Sequence, residues 1–256
     1  DKSGQIWFSF IPYGLVVLKD PAGDLTSPSN YIVYQDKDLS EQVYAVCQDK
    51  EGLMWFHTRY GIKHLNPKSN KFEYSSASAM AGVQATAFLI DKKGYFWMGQ
   101  AFGTIKRFDK ASNTLVTYGQ ESGLPPMQLS EGMVGAFVNY IFEDSRGDVW
   151  FGAWDRGVSR FNSNEKDNAK LFTNLSTQNG LSINKIRCIS EDREGNVLLG
   201  TFGNGLSIFK GERFISYTVK DGLINNQVWG ILEDPDKKLW FATNEGLSIY
   251  DPSATA

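Results

Sequence analysis

The chain is short of the residues that most often carry chemistry. It has two cysteines and two histidines among 256 residues. Cys47 and Cys188 are too few for a disulfide framework. His57 and His64 stand close together with no further histidine, so no ligand-spaced metal cluster emerges. No Gly-x-Ser-x-Gly, Walker loop or calcium-loop pattern is present. No apolar run approaches the ~18 residues that a membrane helix needs. Neither sign of charge dominates, since the formal net charge is −3, and nothing favours nucleic acid or an anionic membrane surface. Asp1 and Lys2 lead straight into a repeated phrase with no signal peptide ahead of it, as expected of a piece of a longer or processed chain.

Aromatic residues make up 14% of the chain, and there are 25 glycines but only 8 prolines. Many short strands joined by tight turns have this composition. A phrase of the form Asp-x-x-x-x-hydrophobic-Trp begins at Asp1, Asp49, Asp91, Asp144, Asp192 and Asp234. Trp7, Trp55, Trp97, Trp150 and Trp240 hold its aromatic position, and Leu198 replaces the Trp in the fifth copy. Gly4, Gly52, Gly94, Gly147 and Gly195 hold its fourth position, with Lys237 in the sixth copy. Asp at the first and Gly at the fourth position specify a tight hairpin turn.

A β-rich run precedes most copies ("VYAVCQ", "ATAFLI", "VNYIFE", "IRCISE", "VWGILE"), and "h-W-F" follows. A further Gly then leads to a third strand, as in "GVSRF" and "GLSIF", and an aromatic-rich fourth strand follows, as in "YIVY" and "RFISY". Four antiparallel strands per copy, repeated every 42–53 residues, is the period of a propeller blade. A sandwich does not repeat a turn signature in this way. The expected fold is therefore all-β, a β-propeller of four-stranded antiparallel blades with six repeat units visible, read as one domain over 1–256.

The runs before each Asp should be innermost, because small residues recur there: Ala45, Ala87, Cys188 and Gly230, with Tyr140 the exception. The first unit should lack this strand and the last unit its fourth, which leaves a seven-bladed parent open. Cys47 and Cys188 fall in units two and five, too far apart to bridge. The repeated Trp, Asp and Gly are assigned to the fold, as are the recurring Glu–Asp pairs. No catalytic residue, metal or cofactor is expected.

The connector "YTVKDGLINNQVWGILED" at 217–234, with a weaker copy at 176–192, joins the phrase G-x-h-W-F-G-T-x-x-G-L-S-x-F. Together they resemble the two-component regulator propeller repeat. The resemblance implies a non-catalytic sensor module on the periplasmic or extracellular side of a bacterial inner membrane, in the ectodomain of a histidine kinase or hybrid two-component system. It also implies an oligosaccharide or other small ligand and a homodimer formed through the parent ectodomain, with no nucleic-acid or direct membrane contact. The repeat is similar as well to that of propeller lyases acting on streptogramins, which leaves an enzyme as an alternative. A protein-interaction platform is a further one.

Repetition serves the fold, so specificity is expected where units differ. The loops between strands two and three differ most, and they share one face. They carry the candidate ligand-binding residues Tyr13, Arg59, Tyr60, Phe102, Trp154, Asp155, Arg156, Phe202, Asn244 and Glu245, with Asn204 beside them. Aromatic faces match the C–H faces of sugar rings, while Arg, Asp and Asn suit hydroxyls and carboxylates. His57 and His64 read as ordinary strand residues. The 119–136 insertion, with Pro125, Pro126, Gln128 and Glu131, is a second candidate element on that face.

Overall fold

A computed structural model describes residues 1–10, 14–34, 43–58, 61–75, 85–119, 137–167 and 170–251. The 120–136 part of the insertion lies outside the described residues, as do Tyr13, Arg59 and Tyr60. The fold is an all-β propeller built from six antiparallel sheets. Blade one holds β1 (Ile6–Phe10), β2 (Gly14–Leu18) and β3 (Tyr31–Tyr34). Blade two holds β4 (Val43–Gln48), β5 (Met54–Thr58), β6 (Gly61–Asn66) and β7 (Lys71–Tyr74). Blade three holds β8 (Ala87–Ile90), β9 (Tyr95–Gly99), β10 (Ile105–Asp109) and β11 (Thr114–Tyr118). Blade four holds β12 (Val138–Glu143), β13 (Val149–Ala153), β14 (Val158–Phe161) and β15 (Phe172–Leu175). Blade five holds β16 (Ile186–Glu191), β17 (Val197–Thr201), β18 (Leu206–Lys210) and β19 (Arg213–Tyr217). Blade six holds β20 (Val228–Glu233), β21 (Leu239–Thr243) and β22 (Gly246–Tyr250). Among the described residues, the first and the last sheet have three strands each, and the other four have four.

The repeated phrase folds the same way in every blade. One oxygen of each Asp accepts a backbone N–H four residues on, as Asp49 does from Leu53 and Asp144 from Asp148. The other oxygen accepts the indole Nε1–H of the repeated Trp, in Asp1–Trp7, Asp49–Trp55, Asp91–Trp97, Asp144–Trp150 and Asp234–Trp240, at 2.7–3.0 Å. The Asp thus closes the turn and satisfies the polar edge of the Trp, which in blades two to four is buried. In blade five Leu198 has no N–H to give, and Asn196 Nδ2 donates to Asp192 Oδ2 instead, at 2.8 Å. The fourth-position glycines lie at φ near +85°, and Lys237 holds φ +67° in the sixth copy, a conformation that costs an L-residue about 1 kcal/mol or more.

The chain divides into two compact units, residues 1–98 with 106–116 and residues 99–105 with 117–256. In the first, Trp55 packs edge-on against Phe96 of the following blade, with ring centroids 4.8 Å apart, in a cluster with Ile62, Phe88 and Met98. In the second, Trp150 meets Phe209 of the following blade at 5.6 Å among Ile186, Ile189 and Leu199. A Trp buried this fully removes 150–250 Å² from water, about 4–6 kcal/mol of transfer free energy before ordering entropy is subtracted. Within this unit the first strands of blades four, five and six lie against one another, as expected of innermost strands. Their approach is close because Gly99, Gly152 and Gly200, two residues past the Trp position, leave room. A Cβ on Gly152 would lie 2.8 Å from Ile186, and one on Gly99 2.5 Å from Val138.

A candidate ligand-binding face at the bulged ends of the blades

The first strands do not pair evenly with their neighbours. The register slips by one residue between Val138 and Tyr140, Ile186 and Cys188, and Val228 and Gly230 in the second unit, and between Val43 and Ala45 in the first. Each slip is a β-bulge whose extra residue leaves the inward–outward alternation. The extra residues are Asn139, Arg187 and Trp229 in blades four to six, and Tyr44 in blade two. Bulges of this kind re-aim side chains, and here they do so at the same end of each blade as the loop after strand two.

The two rows meet in the second unit. Trp154 and Phe202 stand at equivalent positions just beyond β13 and β17. Each is pinned by its backbone N–H, Trp154 to Phe137 O and Phe202 to Lys185 O, both at 3.0 Å. Their rings lie 5.1 Å apart. The Arg187 guanidinium sits 4.3 Å from the Trp154 ring centre, 4.7 Å from that of Phe202 and 3.9 Å from that of Trp229. Trp229 is in turn held by Asn244, whose Oδ1 accepts its Nε1–H. Asn244 Nδ2 donates to Gln227 Oε1 at 2.7 Å, and Asn225 Nδ2 donates to Glu245 Oε1 at 3.0 Å. Lys185 Nζ stands over the outer part of Phe202, 5.9 Å from its centre. Burial lowers the pKa of Arg187 from its ordinary value, and it stays a cation at neutral pH.

Of the ten candidate residues, the structure gathers Trp154, Phe202 and Asn244 into this cluster, with Glu245 next to it. Asp155 and Arg156 follow Trp154 in the turn and are half-buried, and Asp155 Oδ1 faces no donor among the described residues. Phe102 lies on the 3-10 turn Ala101–Gly103, and its side chain is outside the described set. Asn204 ties its turn to the connector before β16, donating from Nδ2 to Ser182 O at 2.8 Å. Arg187 and Trp229, the centre of the cluster, are absent from the candidate set. Both lie inside runs that read as plain strands. Comparing the second residue of those runs across units (Tyr44, Asn139, Arg187, Trp229) shows a position as variable as the loops.

The other reactive groups are occupied in the fold. His57 takes the place of the inter-blade glycine in blade two. It is 1% exposed, accepts the Ala85 N–H at Nε2 and lies 5.3 Å from the Tyr44 ring centre. His64 pairs with Glu73 at 3.7 Å. Cys47 and Cys188 are free thiols, pushed up to about 11 and about 12 by burial. Among the described residues no three His, Cys, Asp or Glu side chains group as metal ligands. A groove of about 430 Å³ runs between blades five and six along β22. Its lining mixes apolar side chains such as Leu206, Ile208 and Leu239 with Tyr217, Tyr250 and charged groups, of which Lys210–Glu194 and Arg193–Glu233 pair with one another.

Four stretches of the chain, 39–60, 132–155, 180–203 and 222–245, match the family described as two component regulator propeller. These are two-component regulator propeller repeats. The last three run from the first strand's approach, through its bulge and the Asp turn, to the loop after strand two, so both rows of the candidate face fall within the repeat. A curated relative, "Histidine kinase P4" of Formosa agariphila, is 26% identical over 88% of this chain, which spans about 20% of that protein's length. Among solved structures, the extracellular domain of a putative hybrid two component system from B. thetaiotaomicron aligns with a TM-score of 0.70 at 18% identity, over 96% of this chain and 32% of the other. A surface component of the type-IX secretion system of Porphyromonas gingivalis gives 0.68 at 16% identity, covering 96% and 37%. Virginiamycin B lyase from Staphylococcus aureus gives 0.65 at 13% identity, covering 100% and 83%. At these identities the solved structures share the propeller fold. Among the described residues no helix is long and apolar enough to cross a membrane.

Proposed function

We propose that this chain is a non-catalytic sensing module of a two-component receptor, on the outer side of a bacterial membrane, which takes a carbohydrate at the bulged ends of blades four to six. The observation that carries the reading is the convergence of Trp154, Phe202 and Trp229, from three successive blades, around one guanidinium. Aromatic faces stack on the apolar faces of sugar rings, and the amide and charged groups around them serve hydroxyls. Binding across three blades would favour one arrangement of those blades over another, which a downstream element can read. The repeat and the histidine-kinase relative support the signalling context. The engaged Nε2 of buried His57 speaks against a histidine-based lyase centre in blade two.

The test is a thermal-shift and calorimetric screen of the protein with plant, host and microbial oligosaccharides, run in parallel on Trp154→Ala. A saccharide that raises the melting temperature of the wild type and not of the variant supports the reading. Stabilisation that the variant retains moves the site elsewhere. A folded protein that no saccharide stabilises overturns the carbohydrate reading in favour of a protein partner.

A further inference from the structure

The arginines around Arg187 set it apart. Arg146 meets Asp144 at 3.1 Å, Arg160 meets Glu212 at 3.7 Å and Arg193 meets Glu233 at 3.3 Å. Arg160 also lies over an aromatic ring, that of Trp150, at 5.6 Å; its Nε, like that of Arg187, is buried without a partner, but its terminal nitrogen still has a carboxylate. Arg187 has three rings and, among the described residues, neither an ion pair nor a hydrogen-bond acceptor. Its Nε is buried without a partner. A guanidinium carries five N–H donors in one plane, and rings serve its faces but leave those in-plane donors unmet. A buried donor without an acceptor costs about 1–3 kcal/mol. What distinguishes Arg187 is that its terminal nitrogens meet no carboxylate either among the described residues, so an acceptor from outside the fold would find the whole in-plane edge of the guanidinium available.

The surroundings fit an anion on a sugar. Stacking holds the guanidinium in place before binding, so little side-chain entropy is lost when a planar oxyanion meets it. Lys185 adds a second positive charge beside Phe202. Asn139, the bulge residue of the preceding blade, donates to Ile186 O at 2.7 Å, next to Arg187, and its buried Oδ1 faces no donor among the described residues, which suits a hydroxyl. From these observations we infer that Arg187 is the anion-recognition residue of the face, and that the ligand is an acidic saccharide bearing a carboxylate or a sulfate ester. This inference rests on the carbohydrate reading above and adds to it the charge of the ligand.

The experiment compares matched probes on the whole chain by isothermal calorimetry. The probes are oligogalacturonate, the same oligomer fully methyl-esterified, a sulfated galactose oligomer and its desulfated form. The proteins are the wild type, Arg187→Gln and Trp229→Ala, each first shown to be folded by circular dichroism. The expected result is that one acidic probe binds at least tenfold more tightly than its neutral counterpart. Arg187→Gln should abolish that preference, and Trp229→Ala should weaken binding of the acidic probe. Preference for the galacturonate pair assigns a carboxylate, and preference for the sulfated pair assigns a sulfate ester. Equal binding of charged and neutral probes overturns the inference while leaving the carbohydrate reading intact. So does a preference that survives Arg187→Gln. If no acidic probe binds, the inference is also overturned, and the neutral probes then report separately on the carbohydrate reading.

Discussion

The two ends of each blade obey different rules. At one end sits the Asp turn, in which a carboxylate receives a side-chain donor in all six blades even though one blade has lost its Trp. At the other end sit the bulge and the loop after strand two, where Asn139, Arg187 and Trp229 are chemically unlike and so are Trp154, Phe202 and Asn244. The replacement in blade five is instructive. Leu198 keeps the packing of the Trp it replaces, fully buried among Cys188, Leu206 and Val228, and Asn196 separately restores the hydrogen bond. The turn end therefore tolerates a change of residue but not a change of interaction. The bulged end repeats a backbone and leaves the interaction open.

Substitutions can break this contrast in order of size. Asp144→Ala should have the largest effect, because Asp144 is fully buried and its carboxylate takes the Trp150 indole, backbone N–H groups and Arg146. A loss of about 3 kcal/mol or more is expected from stranded donors, seen as a lower urea midpoint. Asn196→Ala removes the substitute donor in blade five and should cost about 1–2 kcal/mol by the same measurement. A neutral result there would show that the turn does not need its second acceptor filled. Lys237→Gly should stabilise by about 1 kcal/mol, since it relieves a positive φ that the other five turns give to glycine. Trp229→Ala, at a side chain 47% exposed, should shift stability by less than about 1 kcal/mol, and a larger loss would make the bulged end part of the scaffold.

The smallest predicted effect concerns pH. Burial works against the charged form of Asp49, but the Trp55 and Leu53 N–H groups and the Lys110 ammonium outweigh it and hold its carboxyl below the usual range. A lowered folded value means that its contribution is present above the ordinary carboxylate pKa of about 4 and is lost as pH falls through the folded value. Urea midpoints should therefore fall on going from pH 5 to pH 3, and fall less in Asp49→Asn.

The turn end was legible in the sequence and the bulged end only in part, for one physical reason. A turn announces itself by residue type, because φ near +85° asks for Gly and a closed carboxylate turn asks for Asp. Strands announce themselves by β-rich runs, and "VNYIFE" and "VWGILE" coincide with β12 and β20. A bulge has no residue type of its own here, since Tyr, Asn, Arg and Trp all occupy it. Trp154, Phe202 and Asn244 stand out in the sequence because they interrupt the repeat in a loop. Arg187 and Trp229, which the structure places beside them, do not stand out because one strand alone does not reveal which of its residues has left the pleat. The capped connectors were legible as a motif but not as a mechanism. In the structure Thr218 and Asp221 form a reciprocal cap and Gly222 turns left-handed at φ +106°, with Ser176, Asn179 and Gly180 doing the same in the earlier copy.

The bulge has a consequence for how such chains change over generations. A residue in the regular alternation is tied to a partner strand on one side and to a core or a neighbouring blade on the other, so altering it disturbs several contacts. The extra residue of a bulge belongs to neither face, and exchanging it disturbs little beyond its own surroundings. A lineage that copies a blade and rewrites the bulge residue and the one just past strand two has a two-codon route to a new recognition surface on an old frame.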